Sequence, residues 1–492
     1  MQLTDIMVMV LLGATLAVFA GAPARLTAIV SSILNLILGL FLVAYAQVVE
    51  PDADGFYFRT EFPILNHPEI SWSTGADGMT LIMILLTALI TFAAVWFTKE
   101  ENNERLAYGG ALLIAAGALG AFVSLDILFF FAFHELALIP TFLMIGLLGH
   151  GDRKAAAWKI TIYLGLGSMI LLAGLIALVA TRTGDALTFN MVKLFNDTAS
   201  IPDAATQGWV FLLLLLGSGI LVSLFPFHSW AAPAYAAAPT PVAMLHAGVL
   251  KKFGLYALLR LALPLLPAVP QIGWIMNLLL VLLLGNILVI GLVTIAQRRF
   301  DFLLANSSVM HMGYIFLGVA CFNEVGRAGA TILMFAHGVG IALLFILCGH
   351  IRRKTGTLRF EDLGGLGKGA PIFMFVFALA TFAAAGLPGF ANFAGEVMVF
   401  LGAFKDVGEV GALQWATILA LWGVVISAVY MLRAYRQMFQ GPQEGTGAGL
   451  MAGGRWLVPA LALLVALFVI GINPSLFTDL LRRSLEAIAS SK

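Results

Sequence analysis

Long apolar stretches follow one another along almost the whole chain, and short connectors between them carry most of the charge. A stretch of about 20 apolar residues is long enough to cross a bilayer as a helix. We find fourteen such runs, at roughly 5–21, 26–47, 78–98, 107–124, 126–149, 156–181, 207–225, 240–263, 271–297, 302–321, 328–350, 370–403, 412–437 and 455–474. The longest connectors, at 48–77 and 182–206, leave no room for a soluble domain. The pattern predicts an all-α polytopic membrane protein with about fourteen transmembrane helices.

Composition agrees with this interpretation. The chain has 492 residues, of which 61% are hydrophobic and 11% are charged. Soluble domains carry about 25% charged residues, so a chain this apolar needs lipid to cover its surface. The formal net charge of +1 provides no field that would attract nucleic acid. We therefore expect lipid and other membrane subunits as partners, and no nucleic acid.

The distribution of lysine and arginine predicts the orientation. Numbered in chain order, the odd connectors hold 15 of these residues and the even connectors hold 5. Basic residues concentrate on the cytoplasmic side of a membrane, which places the odd connectors in the cytoplasm. This predicts a multi-pass protein of a bacterial-type inner membrane, with both termini outside the cytoplasm.

Two of the apolar runs are interrupted by proline. Run 7 ends at Pro226 and leads into a proline-rich segment that reaches Pro241, and run 12 is broken at Gly386-Leu-Pro-Gly389. Backbone groups freed by such breaks must face protein or water rather than lipid. The breaks lie five runs apart, which predicts two inverted five-helix repeats, helices 4–8 and 9–13. The expected divisions are 1–106 for helices 1–3, 107–263 and 270–437 for the repeats, and 438–492 for the last helix and tail.

Ionisable residues inside the apolar runs are the candidate functional residues, because charge is expensive in a membrane and is retained mainly where it has a function. The candidates for proton transfer are Glu135, Lys159, His246, Lys252, His311, His337 and Glu396. A structural carboxylate at Glu135, a lysine at 159 that extends to the interface and satisfied core histidines are the alternatives. Lys251 and Lys252 point about 100° apart on a helix, so one should face the interior and the other needs a partner of its own.

The chain lacks the motifs of an energy source. It has no Walker motif and no dinucleotide-binding fingerprint. Its two cysteines, Cys321 and Cys348, are isolated within apolar runs and form no cluster for iron–sulfur ligation. We therefore expect no cofactor, no metal and no redox chemistry in this chain, and any proton movement must be driven by another subunit.

Five stretches together resemble the antiporter-like subunits of proton-pumping NADH:quinone oxidoreductase, respiratory complex I, and among them subunit M, also called chain 4. The stretches are ADGMTL from Ala76, FHELALIP from Phe133, SSVMHMG from Ser307, FAHG from Phe335 and GLPGFANFAGE from Gly386. The resemblance covers about residues 60–440. Glutamate at position 396 favours subunit M, because subunits L and N typically have lysine there.

The resemblance implies a non-redox subunit that translocates protons, with L- and N-type subunits as lateral neighbours. Glu135 would be the carboxylate of helix 5 and Lys252 the central lysine of helix 8. His311 and His337 would link that lysine to Glu396, the exit-side carboxylate.

The chain departs from the family pattern at several positions. Leu221 stands where the family has the helix-7 lysine that partners Glu135, Asp301 stands where the family is usually basic, and Lys251 is an additional lysine. Another cation, Lys159 or Lys251, could replace the missing partner, and for Lys159 we expect a water-mediated coupling at most. Two other functions remain open. One is a transporter module of a cation/proton antiporter, a membrane-bound hydrogenase or an inorganic-carbon uptake complex, and the other is a spacer without a proton path.

Overall fold

The computed structural model describes residues 2–99, 103–183, 187–197, 201–405, 408–441 and 454–490. A hairpin of two strands, β1 (Tyr57–Asn66) and β2 (Glu69–Ala76), follows the first two helices. The helices are α1 (Leu3–Ala20), α2 (Ala24–Ala46), α3 (Gly78–Phe97), α4 (Glu104–Val123), α5 (Ile127–Leu148), α6 (Arg153–Thr183), α7 (Met191–Asn196), α8 (Ala204–Val222), α9 (Ala231–Ala237), α10 (Thr240–Leu265), α11 (Gly273–Ile295), α12 (Phe300–Ala320), α13 (Glu324–Thr355), α14 (Pro371–Ala384), α15 (Ala391–Ala403), α16 (Ala412–Phe439), α17 (Leu457–Ile472) and α18 (Ser475–Ser490).

The predicted fold class is confirmed. In the described ranges, twelve helices are long and apolar enough to cross a membrane, and they correspond to runs 1–11 and 13. Run 12 is divided by its break into α14 and α15, of 14 and 13 residues, each too short to count as a span. Run 14 is α17, which is bent by 67° from α18 and makes a thirteenth span if the pair is counted together. The count of about fourteen is therefore too high by this criterion, because the breaks shorten the last apolar helices.

Both predicted breaks are present. α8 ends at Val222, and Ser223 takes up a left-handed conformation with φ 65° before the short helix α9. The side chain of Asn286 on α11 satisfies backbone groups at this break: its Oδ1 accepts from Phe225 N at 2.5 Å, and its Nδ2 donates to Ser223 O at 3.3 Å. Freed backbone groups are thus paired with protein, as a membrane requires.

The centre of the molecule is formed by α10 and α13, whose apolar spans are wholly buried. α10 is irregular at two points. It contains a 3-10 turn at Leu250–Lys252 and a π turn at Leu258–Ala262. Interruptions of this kind within an α-helix occur frequently at functional sites. The centre of α10 therefore combines complete burial with irregular backbone at the two lysines.

The pattern of apolar runs does not predict two of the observed elements, a β-hairpin and a C-terminal helix. The strands β1 and β2 form an antiparallel hairpin with the register Tyr57↔Ala76 to Asn66↔Glu69 within the long connector at 48–77. The predicted C-terminal tail contains helix α18, which packs on the start of α3, where Gly78 N donates to Ser484 Oγ at 2.8 Å. Neither element contains a 20-residue apolar run, so a search for membrane spans does not detect them.

Candidate functional site

Lys252 and His337 meet at the centre of the protein. Lys252 Nζ lies 2.8 Å from His337 Nδ1 on α13 and 2.5 Å from the carbonyl oxygen of Ala247, one turn back on its own helix. The lysine is completely buried and the histidine is nearly so. Lys252 is the last residue of the 3-10 turn at Leu250–Lys252, where the backbone hydrogen-bonding pattern of α10 changes. This turn sets the direction in which the lysine side chain points. A buried amine and an imidazole at this distance can share or exchange a proton.

His311 on α12 continues from His337 towards the second helix break. The ring centroids of His311 and His337 are 5.7 Å apart. Nδ1 of His311 lies 2.8 Å from Ser307 O, and Nε2 lies 3.2 Å from the carbonyl of Ala384, the last residue of α14. A neutral imidazole donates through one nitrogen only, so both carbonyls are bonded at once only by the protonated ring. His311 thus has a carbonyl acceptor beside each ring nitrogen, whichever nitrogen carries the hydrogen.

Glu396 lies at the same break, on α15. It is buried, with 4% of its surface exposed, and its carboxylate lies against Gly386, where a Cβ atom would collide with it. Gly386 has a φ of 70°, a left-handed conformation that glycine adopts without strain. The break therefore needs glycine at this position both for its backbone and for room beside the carboxylate. We call the row of side chains formed by Lys252, His337, His311 and Glu396 the central axis.

Lys251 points to a different wall from Lys252, as the helical geometry predicts. Its Nζ lies 3.3 Å from Ser308 Oγ on α12 and 5.7 Å from the centroid of the Tyr235 ring. The hydroxyl of Tyr235 bonds His246 Nδ1 at 3.0 Å. His246 is therefore connected to the Lys251 side of α10, and the structure does not bring it into contact with Lys252.

The structure places Glu135 and Lys159 out of direct contact, and the expectation for this pair was a water-mediated coupling at most. Helices α5 and α6 pack as neighbours, but no ion pair joins the two side chains among the described residues. Glu135 is half-buried and lines a cavity of about 170 Å³ with Thr141 and Thr161. Lys159 lines a separate cavity of about 380 Å³ with Asp152. Lys159 lies near the start of α6, whereas Glu135 lies far from the end of α5, so the two side chains differ in depth along the helices.

Several polar residues around the axis were not singled out from the sequence. Ser307 Oγ lies 2.8 Å from the hydroxyl of Tyr430, and the Tyr256 hydroxyl lies 2.9 Å from Thr80 Oγ1. Ser307 lies within the SSVMHMG stretch and Thr80 within the ADGMTL stretch. Their place in these motifs is the sequence signal from which they could have been identified. Tyr430 lies in an apolar helix with no motif around it, and only the fold brings it to the site.

Asp301, at a position where the resemblance leads one to expect a base, is buried and ion-paired. Its Oδ2 lies 2.7 Å from Arg299 Nη2 and 2.9 Å from Arg352 Nη2. Arg352 is in the last turn of α13, so the acid joins the start of α12 to the end of α13. Two arginines around one carboxylate explain how an acid is accommodated there.

Comparison with known proteins identifies relatives over most of the chain. Residues 124–427 match the family described as NADH:quinone oxidoreductase/Mrp antiporter, TM. NAD(P)H-quinone oxidoreductase chain 4 2 of Synechococcus sp. (strain JA-2-3B'a(2-13)) is 33% identical over 467 residues, covering 94% of this chain and 85% of the relative. NAD(P)H-quinone oxidoreductase chain 4 of Gloeobacter violaceus is 34% identical over 417 residues, covering 84% and 78%.

Solved structures have the same fold. A chain of respiratory complex I from Thermus thermophilus superposes with a TM-score of 0.86 at 29% identity, with 99% of both chains covered. A chain of the archaeal membrane-bound sulfane sulfur reductase gives a TM-score of 0.85 at 23% identity, covering 99% of this chain and 98% of the other. At that identity the second likeness concerns the fold alone.

Proposed function

The chain belongs to the NADH:quinone oxidoreductase/Mrp antiporter family and is a proton-translocating membrane subunit of the complex I type of NAD(P)H:quinone oxidoreductase, and from this premise we propose that its protons move along the central axis. In this proposal Lys252 holds the proton at the centre, His337 and His311 relay it, and Glu396 exchanges it at the break between α14 and α15. The observation that carries the proposal is the placement of these four side chains, from four different helices, in one buried row.

The chemistry of the row suits proton transfer. Lysine, histidine and carboxylate side chains each gain and lose a proton, and burial makes the charge on one sensitive to the charge on the next. Lys252 and His337 are already within hydrogen-bonding distance, whereas the 5.7 Å between the ring centroids of His337 and His311 requires a ring rotation or a bridging water. The carbonyl of Ala384 joins His311 to the break, and in this proposal the non-helical backbone there supplies the polar groups along which water reaches Glu396.

The driving force comes from elsewhere in the complex, since the sequence holds no motif for a redox group. We propose L- and N-type antiporter-like subunits as the lateral neighbours. Glu135 supports a contact of this kind, because it lies half-buried between α5 and α6 and its Oε1 has no hydrogen-bond partner within the described part of the chain. With Leu221 in place of a lysine and Lys159 in another cavity, its cationic partner is a side chain of an adjoining subunit.

We propose that the protein spans the membrane with both termini outside the cytoplasm. The excess of lysine and arginine in the odd connectors supports this orientation. In the same orientation the β1–β2 hairpin and α18 lie outside, and the end of α13 that contains Arg352 and Arg353 lies on the cytoplasmic side.

The substitution Glu396→Gln in the assembled complex, reconstituted into liposomes, tests the proposal. Glutamine keeps the shape of the side chain and removes the titratable proton, so we expect proton pumping per electron to fall while the complex still assembles. Glu409→Gln, which changes an exposed glutamate of the next connector, is the matched control and should pump normally. Full pumping by an assembled Glu396→Gln complex would exclude the proposed role and favour a spacer.

A further inference from the structure

A buried ion pair lies on the same helix as Lys252, two turns further along. Arg260 on α10 forms a salt bridge with Asp77, the N-cap residue of α3, and only 3% and 9% of the two side chains are exposed. Among the salt bridges of the described residues, this is the one in which both side chains are less than a tenth exposed. Two buried charges must compensate each other, because removing either leaves the other unpaired away from water.

The pair is joined to the region of Lys252 by hydrogen bonds. Asp77 Oδ1 accepts from Thr80 N at 2.8 Å, and Thr80 Oγ1 lies 2.9 Å from the hydroxyl of Tyr256. Lys252, Tyr256 and Arg260 follow one another at intervals of four residues, so they share one face of α10. At about 1.5 Å per residue, Lys252 and Arg260 are about 12 Å apart along the helix. The charges of the pair are therefore within electrostatic reach of the lysine.

The backbone is irregular where each charge lies. Lys252 is in the 3-10 turn of α10, and Arg260 is in its π turn at Leu258–Ala262. The C-terminal helix covers the pair from outside, because Ser484 Oγ accepts from Gly78 N next to Asp77, and a Cβ at Gly78 would collide with the backbone of Leu480. This cover restricts the access of water, and charges separated by a medium of low polarity act on each other over a longer distance.

Other charged and titratable groups surround both sites. His337 of α13 contacts Lys252 directly, and the other charged or titratable groups within electrostatic reach of Lys252 are Lys251 and His246 on its own helix and His311 of α12. Those that face the pair are Tyr57 of β1, Arg327 and Glu324 of α13 and Tyr256 of α10. Because Arg327 and Glu324 stay in place when Asp77 or Arg260 is changed, each of those substitutions still alters the local charge by one unit.

We infer that the Asp77–Arg260 ion pair is a positioning element of the proton path. The pair sets the electrostatic potential at Lys252 and thereby the pH range in which Lys252 exchanges its proton. The inference rests on the proposed role of Lys252. One unit charge at about 12 Å, in surroundings with an effective dielectric constant of about 20, changes a protonation equilibrium about tenfold. That corresponds to a displacement of about one pH unit.

The test is the pH profile of proton pumping by the assembled complex in liposomes. Asp77→Asn removes a negative charge, which disfavours the protonated lysine, so the profile should move about one unit towards lower pH. Arg260→Gln removes a positive charge, and the profile should move by a similar amount towards higher pH. The double variant should return close to the original profile. Glu69→Gln and Lys193→Gln, at an exposed ion pair of the same side, are matched controls and should leave the profile in place.

Opposite displacements are the result that supports the inference, because a purely structural pair would lower activity in both single variants without moving the profile in opposite directions. Displacements in the same direction, or none, would overturn it. If a single variant fails to assemble, Arg327→Gln gives the answer, since it removes a positive charge from the same cluster without breaking the pair and should also move the profile to higher pH. Normal pumping by Lys252→Ala would instead refute the proposed function itself.

Discussion

Lys252 and His337 are 85 positions apart in the sequence, and their side chains meet at 2.8 Å in the buried centre of the protein. If the lysine carries its proton, Nδ1 of His337 accepts, and the ring hydrogen is then on Nε2. That nitrogen is buried and has no hydrogen-bond partner among the described residues. The ring of His311 is the next titratable group, with its centroid 5.7 Å away. His337 is thus placed to take a proton on one side and release it on the other.

We predict that His337→Gln lowers proton pumping by about a hundredfold or more, a loss typical for removing a positioned acid or base. Glutamine keeps a polar group beside Lys252 but cannot carry a proton from one side of the ring to the other. Pumping and quinone reduction should be measured together on the assembled complex, so that coupling is separated from assembly.

His134 offers the matched control for this substitution. It is also a buried histidine, but it is stacked on Phe253 with ring centroids 3.8 Å apart, and neither of its nitrogens has a hydrogen-bond partner among the described residues. His134→Phe should keep the stacking and pump normally. If the two variants lose pumping to the same extent, buried histidine is needed for packing and the relay assigned to His337 is wrong.

A second prediction concerns the break between α14 and α15. Gly386→Ala should lower pumping strongly, because a methyl group there collides with the Glu396 carboxylate and must displace it. The left-handed backbone, with φ 70°, adds a strain of about 1–2 kcal/mol. Gly389→Ala is also strained, at φ 96°, but has open space around its Cβ. We expect Gly389→Ala to reduce stability while retaining pumping, and equal pumping by the two assembled variants would contradict the stated role of Gly386.

A third prediction concerns the attachment of the hairpin. The Asp126 carboxylate caps α5 by accepting from Leu128 N at 2.9 Å and Phe129 N at 3.3 Å, and it also accepts from Ser71 N of β2 at 3.0 Å. Losing a helix cap costs about 1 kcal/mol, and leaving the buried Ser71 amide unpaired costs about 1–3 kcal/mol more. Asp126→Ala should therefore lower the temperature at which the assembled complex is inactivated.

Asp203 is the control for the cap alone. Its carboxylate accepts from Thr206 N at 2.9 Å at the exposed start of α8. Asp203→Ala should lower the inactivation temperature by a smaller amount than Asp126→Ala. The reverse order would show that Asp126 does not hold the hairpin to the helices.

The fold could be predicted largely from the spacing of apolar runs, and both breaks from their prolines, because a bilayer imposes length and polarity on every span. The β1–β2 hairpin and α18 could not, since elements outside the bilayer follow no such rule. The different directions of Lys251 and Lys252 follow from helix geometry. The partners Ser308 and Tyr235 do not, because they depend on which helices become neighbours.

The separation of Glu135 and Lys159, by contrast, could be predicted from the sequence. Both residues were correctly assigned to adjacent helices, but Glu135 lies about 14 residues before the turn and Lys159 about 4 residues after it. At about 1.5 Å of rise per residue, they differ in depth by about 15 Å. Connectivity gives the neighbours of a helix, whereas the depth of each side chain decides its contacts.

The most direct test of the central axis compares Lys252→Ala with Lys251→Ala. Both lysines are buried on adjacent positions of α10, but only Lys252 contacts His337, whereas Lys251 bonds Ser308. Proton pumping per electron should be measured in liposomes that contain the fully assembled complex. We expect Lys252→Ala to abolish pumping and Lys251→Ala to retain most of it. Greater loss of pumping in Lys251→Ala than in Lys252→Ala would contradict the axis.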